Sequence, residues 1–308
     1  MHIRFNRFSI SALAAVLGTA ISPGAMALTI FTCEPEWAAL AGELAPDASI
    51  TSATHARQDP HYVEARPSLI AQLRRADLAI CTGAELEAGW LPVLQQRAAN
   101  NKVQTGQIGM LFVSENVALL NPRDNVTRAD GDVHAAGNPH LHMDPTRIAR
   151  VAKNIADRLQ TIDPERARAY QMRYDAWDKQ WTQHIERWTA QAVSLRGHSV
   201  VAQHTSFAYL WQWLAIEQIA DLEPKPGLPP TPAHLASLVA QVKGSNPIAI
   251  VQTLYQDKAP LQWLHERTGI APLSLPSTVT NDGQSASLSG LFDSLISQLV
   301  AASAAVKR

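Results

Sequence analysis

The sequence has few cysteines, almost no net charge and no long uninterrupted apolar run. Two of its 308 residues are cysteine, Cys33 and Cys81, and they lack the CxxC spacing that is typical of thiolate metal sites. The formal net charge is −1 and no run of basic residues occurs, so nothing indicates binding to nucleic acid. Beyond the N-terminus no stretch approaches about 18 consecutive apolar residues, and the sequence therefore predicts no transmembrane helix.

The N-terminal segment has the pattern of a secretory signal peptide. Arg4 and Arg7 supply the positive region, residues 10–21 an apolar run, and residues 25–27 a small-residue cleavage site. We therefore expect residues 1–27 to be removed after about Ala27 and the rest of the chain to reach a bacterial periplasm. In that oxidising compartment the first interpretation of the two cysteines is a disulfide bond. Closing a loop of this length would contribute about 4 kcal/mol.

Short apolar runs alternate with helical patterns along the rest of the chain. This alternation predicts parallel strands joined by right-handed crossovers, with Lys102–Thr105 as one of the strands. The composition, with 46% hydrophobic residues and eight tryptophans, favours well-packed cores. We predict an α/β fold of two lobes, each with a small parallel sheet flanked by helices, joined by one long rigid helix. The predicted boundaries are 28–162 for the N-terminal lobe, 163–196 for the linking helix and 197–308 for the C-terminal lobe.

Two segments, one that links the lobes and one within the N-terminal lobe, stand out by their composition. Residues 165–195 contain neither proline nor glycine, which predicts a helix about 45 Å long. Its tryptophans, Trp177, Trp181 and Trp188, fall on or near one face and are predicted to be buried. Residues 114–139 are rich in Asn, Asp, Gly and Pro and show no periodicity, so we predict a long mobile surface loop.

Three histidines lie in polar loops just before predicted helix starts. They are His61 in the sequence Asp-Pro-His-Tyr, His140 in Asn-Pro-His-Leu-His-Met-Asp-Pro, and His204 in Gln-His-Thr-Ser. Asp144 and Pro145 supply a cap and a first helical residue that would hold His140 on a short tether. In parallel sheets, ligand groups gather at the carboxyl ends of the strands. Two lobes that face each other would bring the three imidazoles together in a site that suits zinc.

The other histidines are interpreted as surface or helix-face residues. His142 lies two residues after His140, but a helix start would send the two side chains apart. His134 could serve as a weak recruiting ligand on the 114–139 loop. We predict that neither is a direct ligand, and the same holds for His55, His184, His198, His234 and His265.

Several motifs resemble, in the right order, the metal-specific (cluster A-I) solute-binding proteins of ABC importers. The segment from Asp59 to Tyr62, with Pro67-Ser68 after it, is similar to the first lobe of that family. The segments 138–145 and 203–210 are similar to its second and third ligand segments, and Glu223–His234 is similar to a loop in part of the family. The resemblance covers essentially the whole chain after the N-terminal segment.

This resemblance implies a metal between the two lobes with His61, His140 and His204 as ligands. Zinc-binding members share this three-histidine pattern, whereas manganese-binding members typically have a carboxylate at the position of His204. Imidazole suits zinc and oxygen donors suit manganese, so we predict Zn²⁺ rather than manganese or iron. The family leads us to expect a carboxylate soon after the last strand, and Asp282 is the nearest substitute. Glu223, a water molecule or an open position are the alternatives.

The implied function is capture of Zn²⁺ as a transported ligand and its delivery to an ABC permease in the inner membrane. A periplasmic metallochaperone that loads the protein is a further possible partner. Nothing in the sequence demands more than a monomer. Three histidines and a water also describe many zinc hydrolases. The sequence has no HExxH or G-x-S-x-G motif and no obvious general base, so an enzyme is not predicted. A structural or adhesin role is compatible with the same fold.

Overall fold

Two parallel four-stranded sheets form the framework of the molecule. The structure is a computed structural model and describes residue 2 and residues 27–127, 130–281 and 283–306. The predicted signal segment therefore lies, apart from residues 2 and 27, outside the described residues. The strands of the first sheet, in the order β2-β1-β3-β4, are β1 (Thr29–Thr32), β2 (Ser49–Ser52), β3 (Leu78–Cys81) and β4 (Met110–Phe112). The second sheet repeats this order as β6-β5-β7-β8, with β5 (Ser199–Ala202), β6 (Glu217–Asp221), β7 (Ile250–Thr253) and β8 (Pro272–Leu275).

Helices cover both faces of each sheet, which confirms the predicted α/β class. They are α1 (Pro35–Leu44), α2 (Pro67–Arg75), α3 (Leu91–Ala98), α4 (Pro145–Ile162), α5 (Ala167–Gln191), α6 (Ala208–Leu214), α7 (Pro232–Gln241), α8 (Lys258–Thr268) and α9 (Leu288–Val306). The prediction of a strand at Lys102–Thr105 is wrong. Residues 101–103 form a short 3₁₀ turn in which the Asn100 side chain accepts a hydrogen bond from the Lys102 backbone, and the more apolar β4 pairs with β3 instead.

One hydrophobic core runs through both halves of the chain. Its buried residues come from β1 and β3, from α1, α4 and α5, and from β5, β7 and α9. Two smaller clusters cover the outer faces of the sheets, one under α2 and α3 and the other under α7 and α8. Because the main core crosses the predicted boundaries, the division at 162 and 197 stays a prediction.

The helix α5 joins the two halves as expected. A 3₁₀ turn precedes it and another follows it, so that residues 164–195 form a nearly continuous helical segment. The predicted burial of Trp177, Trp181 and Trp188 is confirmed, since each is at most 5% exposed. The indole of Trp181 donates a hydrogen bond to the Pro145 carbonyl (2.8 Å), which ties α5 to the first turn of α4. This burial of large aromatic surface fixes α5 against α4 and α9.

The helix α9 packs on the same aromatic face. Among the described residues it is the one helix that is long and apolar enough, by length and composition, to cross a membrane. Its leucines Leu291, Leu295 and Leu299 are fully buried in the main core, and the Phe292 ring lies 5.0 Å from the Trp188 ring between centroids. Its apolar character is therefore accounted for by packing inside the protein.

The carboxyl ends of β1 and β3 are joined by a disulfide bond and a pair of buried carboxyl groups. The predicted disulfide between Cys33 and Cys81 is confirmed, with the two Cα atoms 4.8 Å apart. Next to it, Glu87 accepts hydrogen bonds from the backbone N–H groups of Thr82 (2.7 Å) and Gly83 (3.0 Å). Glu34 accepts a hydrogen bond from the Thr82 hydroxyl (3.0 Å). Burial raises the pKa of Glu87 to about 7, and burial together with the neighbouring Glu87 raises the pKa of Glu34 well above its usual value.

Removing the disulfide should destabilise the protein. In the Cys33→Ala/Cys81→Ala variant we expect the free energy of unfolding to fall by about 4 kcal/mol, because the unfolded chain regains the entropy of an open loop. Urea unfolding of the oxidised protein and of the variant measures this difference. A reductant should lower the wild type to the level of the variant and leave the variant unchanged. Equal stability of the oxidised wild type and the variant would contradict the prediction.

The buried Glu87 should make stability depend on pH. Its pKa is raised from 4.5 to about 7 in the folded state, so between these values the native protein holds a proton that the unfolded chain releases. Stability from this group is therefore present at low pH and lost as the pH rises through about 7. We expect the free energy of unfolding to fall more between pH 5 and pH 8 in the wild type than in Glu87→Gln. The exposed Glu165→Gln variant is the control and should follow the wild type, whereas parallel curves for all three would refute the assignment.

Candidate metal centre

His61 is held by the residue two positions before it. The Asp59 carboxylate accepts hydrogen bonds from the His61 backbone N–H (3.0 Å) and from ring nitrogen Nδ1 (2.8 Å). The loop follows β2, and the Trp90 indole donates a hydrogen bond to the Pro60 carbonyl (3.0 Å). These contacts direct the other ring nitrogen, Nε2, into the space between the lobes.

His140 is buried where the long loop meets α4. The predicted cap is confirmed, because the Asp144 side chain accepts a hydrogen bond from the Thr146 N–H (2.8 Å) and Pro145 is the first helical residue. Asn138 fixes the segment, since its side chain accepts from the His140 N–H (2.9 Å) and donates to the Thr205 carbonyl (3.0 Å). His140 is thereby anchored to the loop that carries His204.

His204 lies two residues after the end of β5, at the carboxyl edge of the second sheet. Its ring nitrogen Nδ1 shares a hydrogen bond with the Glu223 carboxylate (2.9 Å), which follows the neighbouring strand β6. Both side chains are largely buried, with 7% and 11% exposure. The pairing matches that of His61 with Asp59, so two of the three imidazoles carry a carboxylate on Nδ1.

The structure brings His61, His140 and His204 together. One ring nitrogen from each lies within 4.8 Å of the others, and the ring centroids are 5.6 to 6.0 Å apart. The Nε2 atom of His140 is buried and has no hydrogen-bond partner among the described residues. Three converging imidazoles with an orphaned buried nitrogen fit a metal ion that prefers nitrogen donors.

The carboxylates prepare the rings for a metal. A carboxylate on Nδ1 keeps the proton of a neutral imidazole on that nitrogen and leaves the Nε2 lone pair free. Burial lowers the pKa of His140 well below its usual value, and the neighbouring His61 and His204 lower it further. For His204, burial lowers the pKa but the hydrogen bond and charge of Glu223 outweigh it, so that the pKa is raised. The centre therefore contains one ring that stays neutral and one that is stabilised as a cation when no metal is bound.

Of the two candidates for the fourth ligand, Asp282 and Glu223, the structure describes only Glu223. Asp282 lies outside the described residues. Glu223 lies at Nδ1 of His204 and does not join the group of ring nitrogens that lie within 4.8 Å of one another. In the part of the chain that the structure describes, no other His, Cys, Asp or Glu belongs to that compact group.

His142, interpreted as a surface or helix-face residue, is buried and 5% exposed, so that interpretation is wrong. Its Nδ1 lies 3.2 Å from the Glu36 carboxylate on α1, and its Nε2 shares a hydrogen bond with the Ser277 carbonyl (2.8 Å) after β8. The Thr278 hydroxyl donates to the same Glu36. This buried contact joins the two lobes directly behind His140. The i,i+2 spacing from His140 was the only signal for it in the sequence.

His134 is half-buried and lies beside the three histidines of the centre. Its Nε2 lies 3.3 Å from Nε2 of His61, and the two rings are stacked. Burial, with further effects of His61 and His204, lowers its pKa to about 4. A cavity of about 460 Å³ opens beside these rings and is lined by residues of both lobes, among them Asp59, Tyr62, Asp132 and Glu223.

Two proteins of known structure share the fold of this chain. A crystal structure of ZnuA superimposes with a TM-score of 0.76 at 19% identity, covering 90% of this chain and 99% of that one. A manganese-bound mutant of the periplasmic metal binding protein from Candidatus Liberibacter asiaticus superimposes with a TM-score of 0.71 at 17% identity, covering 89% and 98% of the two chains. At these identities the likeness shows the fold alone.

Comparison of the sequence with known proteins identifies the family of this chain. The zinc-binding lipoprotein AdcA of Streptococcus pneumoniae is 26% identical over 199 residues, which are 63% of this chain and 38% of that protein. The chain thus spans about two fifths of the length of this curated relative. The family model for the periplasmic component A of zinc-uptake complexes matches residues 30–302. This match covers most of the chain, which therefore belongs to the family of periplasmic zinc-uptake complex component A proteins.

Proposed function

We propose that the protein captures Zn²⁺ between its two lobes and delivers it to an ABC permease. The observation that carries the proposal is the convergence of His61, His140 and His204 from three separate segments. The family match and the zinc-binding relatives support the same cargo. His61 and His204 would bind through Nε2 with their Nδ1 protons held by Asp59 and Glu223, and His140 would supply the third nitrogen.

The donor set favours zinc over manganese or iron. The compact group of ligand atoms contains only imidazole nitrogens, and the nearby carboxylates are engaged with the rings rather than grouped with them. Imidazole suits zinc, whereas manganese favours oxygen donors. A manganese-binding role is the alternative, since a structural neighbour holds that ion. The prediction of Asp282 as the fourth ligand stays a prediction.

We place the protein in the periplasm, with a signal segment that ends near Ala27. The basic and apolar pattern of residues 1–27 supports export, and the Cys33–Cys81 disulfide suits an oxidising compartment. A permease in the inner membrane is then the partner that receives the ion, and a periplasmic metallochaperone could load it. Binding as a monomer suffices for this cycle.

Release of the ion should involve local changes. The two lobes share one core and the helix α5, so a wide rotation of one lobe would expose buried apolar surface. Loops at the cleft can move without that cost. The rival function, a zinc hydrolase, differs in a measurable way, because a transport protein binds the ion without turnover of activated esters.

The three histidines should all be required for tight binding. We expect one tight Zn²⁺ per chain in the wild type after removal of metal by a chelator. His61→Ala, His140→Ala and His204→Ala should each weaken binding by at least about 100-fold, because each removes a direct nitrogen donor. Titration against a competing chelator, with elemental analysis, measures both stoichiometry and affinity.

The control for these variants is His198→Ala. His198 directly precedes β5 while His204 follows its other end, so the two substitutions act on opposite ends of one strand. The control should bind zinc as the wild type does. Tight binding by any of the three site variants would remove that histidine from the ligand set, and steady ester hydrolysis that disappears with the metal would favour the hydrolase.

The carboxylates behind the rings should tune the affinity. Asp59→Asn and Glu223→Gln keep the shape of the side chain but remove the charge that holds the Nδ1 proton. We expect each to weaken zinc binding by about 10- to 100-fold while the stoichiometry stays at one. The same competition titration checks this, with the exposed Glu165→Gln as a matched loss of charge. Unchanged affinity in both variants would show that the hydrogen bonds do not support the metal.

A further inference from the structure

A fourth imidazole, that of His134, lies at the centre at a spacing that suits joint coordination. Its Nε2 is 3.3 Å from Nε2 of His61, with the ring centroids 5.4 Å apart. The edge of a regular tetrahedron is about 1.63 times the distance from its centre to a corner. Zinc–nitrogen bonds of about 2.0–2.1 Å therefore place neighbouring nitrogens about 3.3–3.4 Å apart. The two histidines already have the separation of two ligands of one tetrahedral zinc ion.

The contact between the two rings is one that zinc would replace. His61 keeps its proton on Nδ1, which faces the Asp59 carboxylate, so its Nε2 accepts the hydrogen bond and Nε2 of His134 donates it. A zinc ion on His61 takes up the accepting lone pair and ends this bond. With its proton moved to Nδ1, His134 can turn the Nε2 lone pair to the same ion. The hydrogen bond thus holds the His134 ring beside His61 in the metal-free protein.

His134 also faces the other two histidines across a small cavity. The cavity, of about 60 Å³, is lined by His134, His140 and His204 together with residues of the long loop. A small shift of the His134 ring into this space brings it toward all three nitrogens. The cavity leaves room beside His140 and His204 for one more ligand.

The backbone around His134 is attached to both lobes. We call residues 130–135 the strap. On the side of the first lobe, Tyr62 donates a hydrogen bond through its hydroxyl to the Asp132 carboxylate (3.1 Å), and the Ala135 N–H donates to Glu85 (2.8 Å). On the side of the second lobe, the Asp132 N–H donates to the Pro226 carbonyl (2.8 Å). These bonds hold the strap across the cleft with His134 on its inner side.

Two glycines allow the strap to approach the second lobe. Gly131 has a φ of +82°, and a Cβ at this position would lie 2.2 Å from the Pro226 carbonyl oxygen. Gly227 has a φ of +76°, and a Cβ there would lie 2.2 Å from the Asp132 carboxylate. A Cβ at position 131 would push away the Pro226 backbone, whereas one at position 227 would displace only the Asp132 side chain. The close contact between the strap and the 226–227 turn therefore depends chiefly on Gly131.

We propose that His134, in place of the predicted Asp282, is the fourth zinc ligand, carried into the centre by the strap. This inference rests on the proposed zinc-binding function and gives the 114–139 loop a role in it. The bound ion would be held by four imidazole nitrogens, three from the walls of the cleft and one from the strap. Opening the strap would then remove a ligand and start release of the ion in the same movement.

The test is a comparison of the metal environment in wild type and His134→Ala. We expect X-ray absorption at the zinc edge to show four imidazole nitrogens in the wild type and three in the variant. We also expect zinc to leave His134→Ala at least about tenfold faster, because loss of a direct ligand should cost no less than loss of an outer hydrogen-bond partner. Transfer of zinc to an excess of a chromogenic chelator in stopped flow measures the rate.

Further variants separate the possible outcomes. Gly131→Ala should displace the strap and speed release as His134→Ala does, whereas His198→Ala should behave as the wild type. An unchanged environment and release rate in His134→Ala would overturn the inference, and loss of an oxygen ligand in Asp282→Ala would then assign the fourth position to the carboxylate. If His61→Ala, His140→Ala and His204→Ala all kept tight zinc, the proposed function itself would fail. Loss of zinc from His140→Ala with no effect of His134→Ala would leave that function intact.

Discussion

The hydrophobic core shared by the two sheets is the constraint on which the centre depends. Inner-face residues of β1 and β3 pack through α4, α5 and α9 onto β5 and β7, so that the inner faces of the two sheets share one core. This packing sets the separation of the two carboxyl edges. The three imidazoles come from segments far apart in sequence, yet one nitrogen of each lies within 4.8 Å of the others. Interiors packed at crystal-like density deform little, which keeps such a distance constant.

The carboxylates around the centre orient the histidine rings, and the ring nitrogens are left to coordinate the metal. Asp59 and Glu223 each hold the outer nitrogen of a histidine, and Glu36 lies beside His142 behind the site. Negative charge close to an incoming dication favours its capture, while the rings keep the oxygens from competing as ligands. The centre thus has nitrogen donors that face the metal position, and carboxylates behind the rings that compensate the charge of a bound dication.

The sequence predicted those features that depend on short-range signals. The Asp144–Pro145 start of α4, the absence of helix breakers in α5 and the alternation of strands and helices were all visible in local patterns. Membership of a family suggested the ligand positions. What was missed depends on tertiary packing between distant residues. His142 meets Ser277 across 135 positions and His134 meets His61 across 73, and no periodicity or capping rule connects such pairs. The failed strand at Lys102–Thr105 shows the opposite effect, in which a local side-chain hydrogen bond overrides a weak strand pattern.

The place of α9 in the chain has a consequence for how the molecule is assembled. This helix follows every other element in sequence, yet its buried face completes the core between the sheets. A chain that emerges from its N-terminal end therefore leaves part of this shared core uncovered until α9 has docked. Contacts over such long sequence separations slow folding and prolong the exposure of apolar strands. Docking of α9 is thus the step that ends the exposure of this apolar surface.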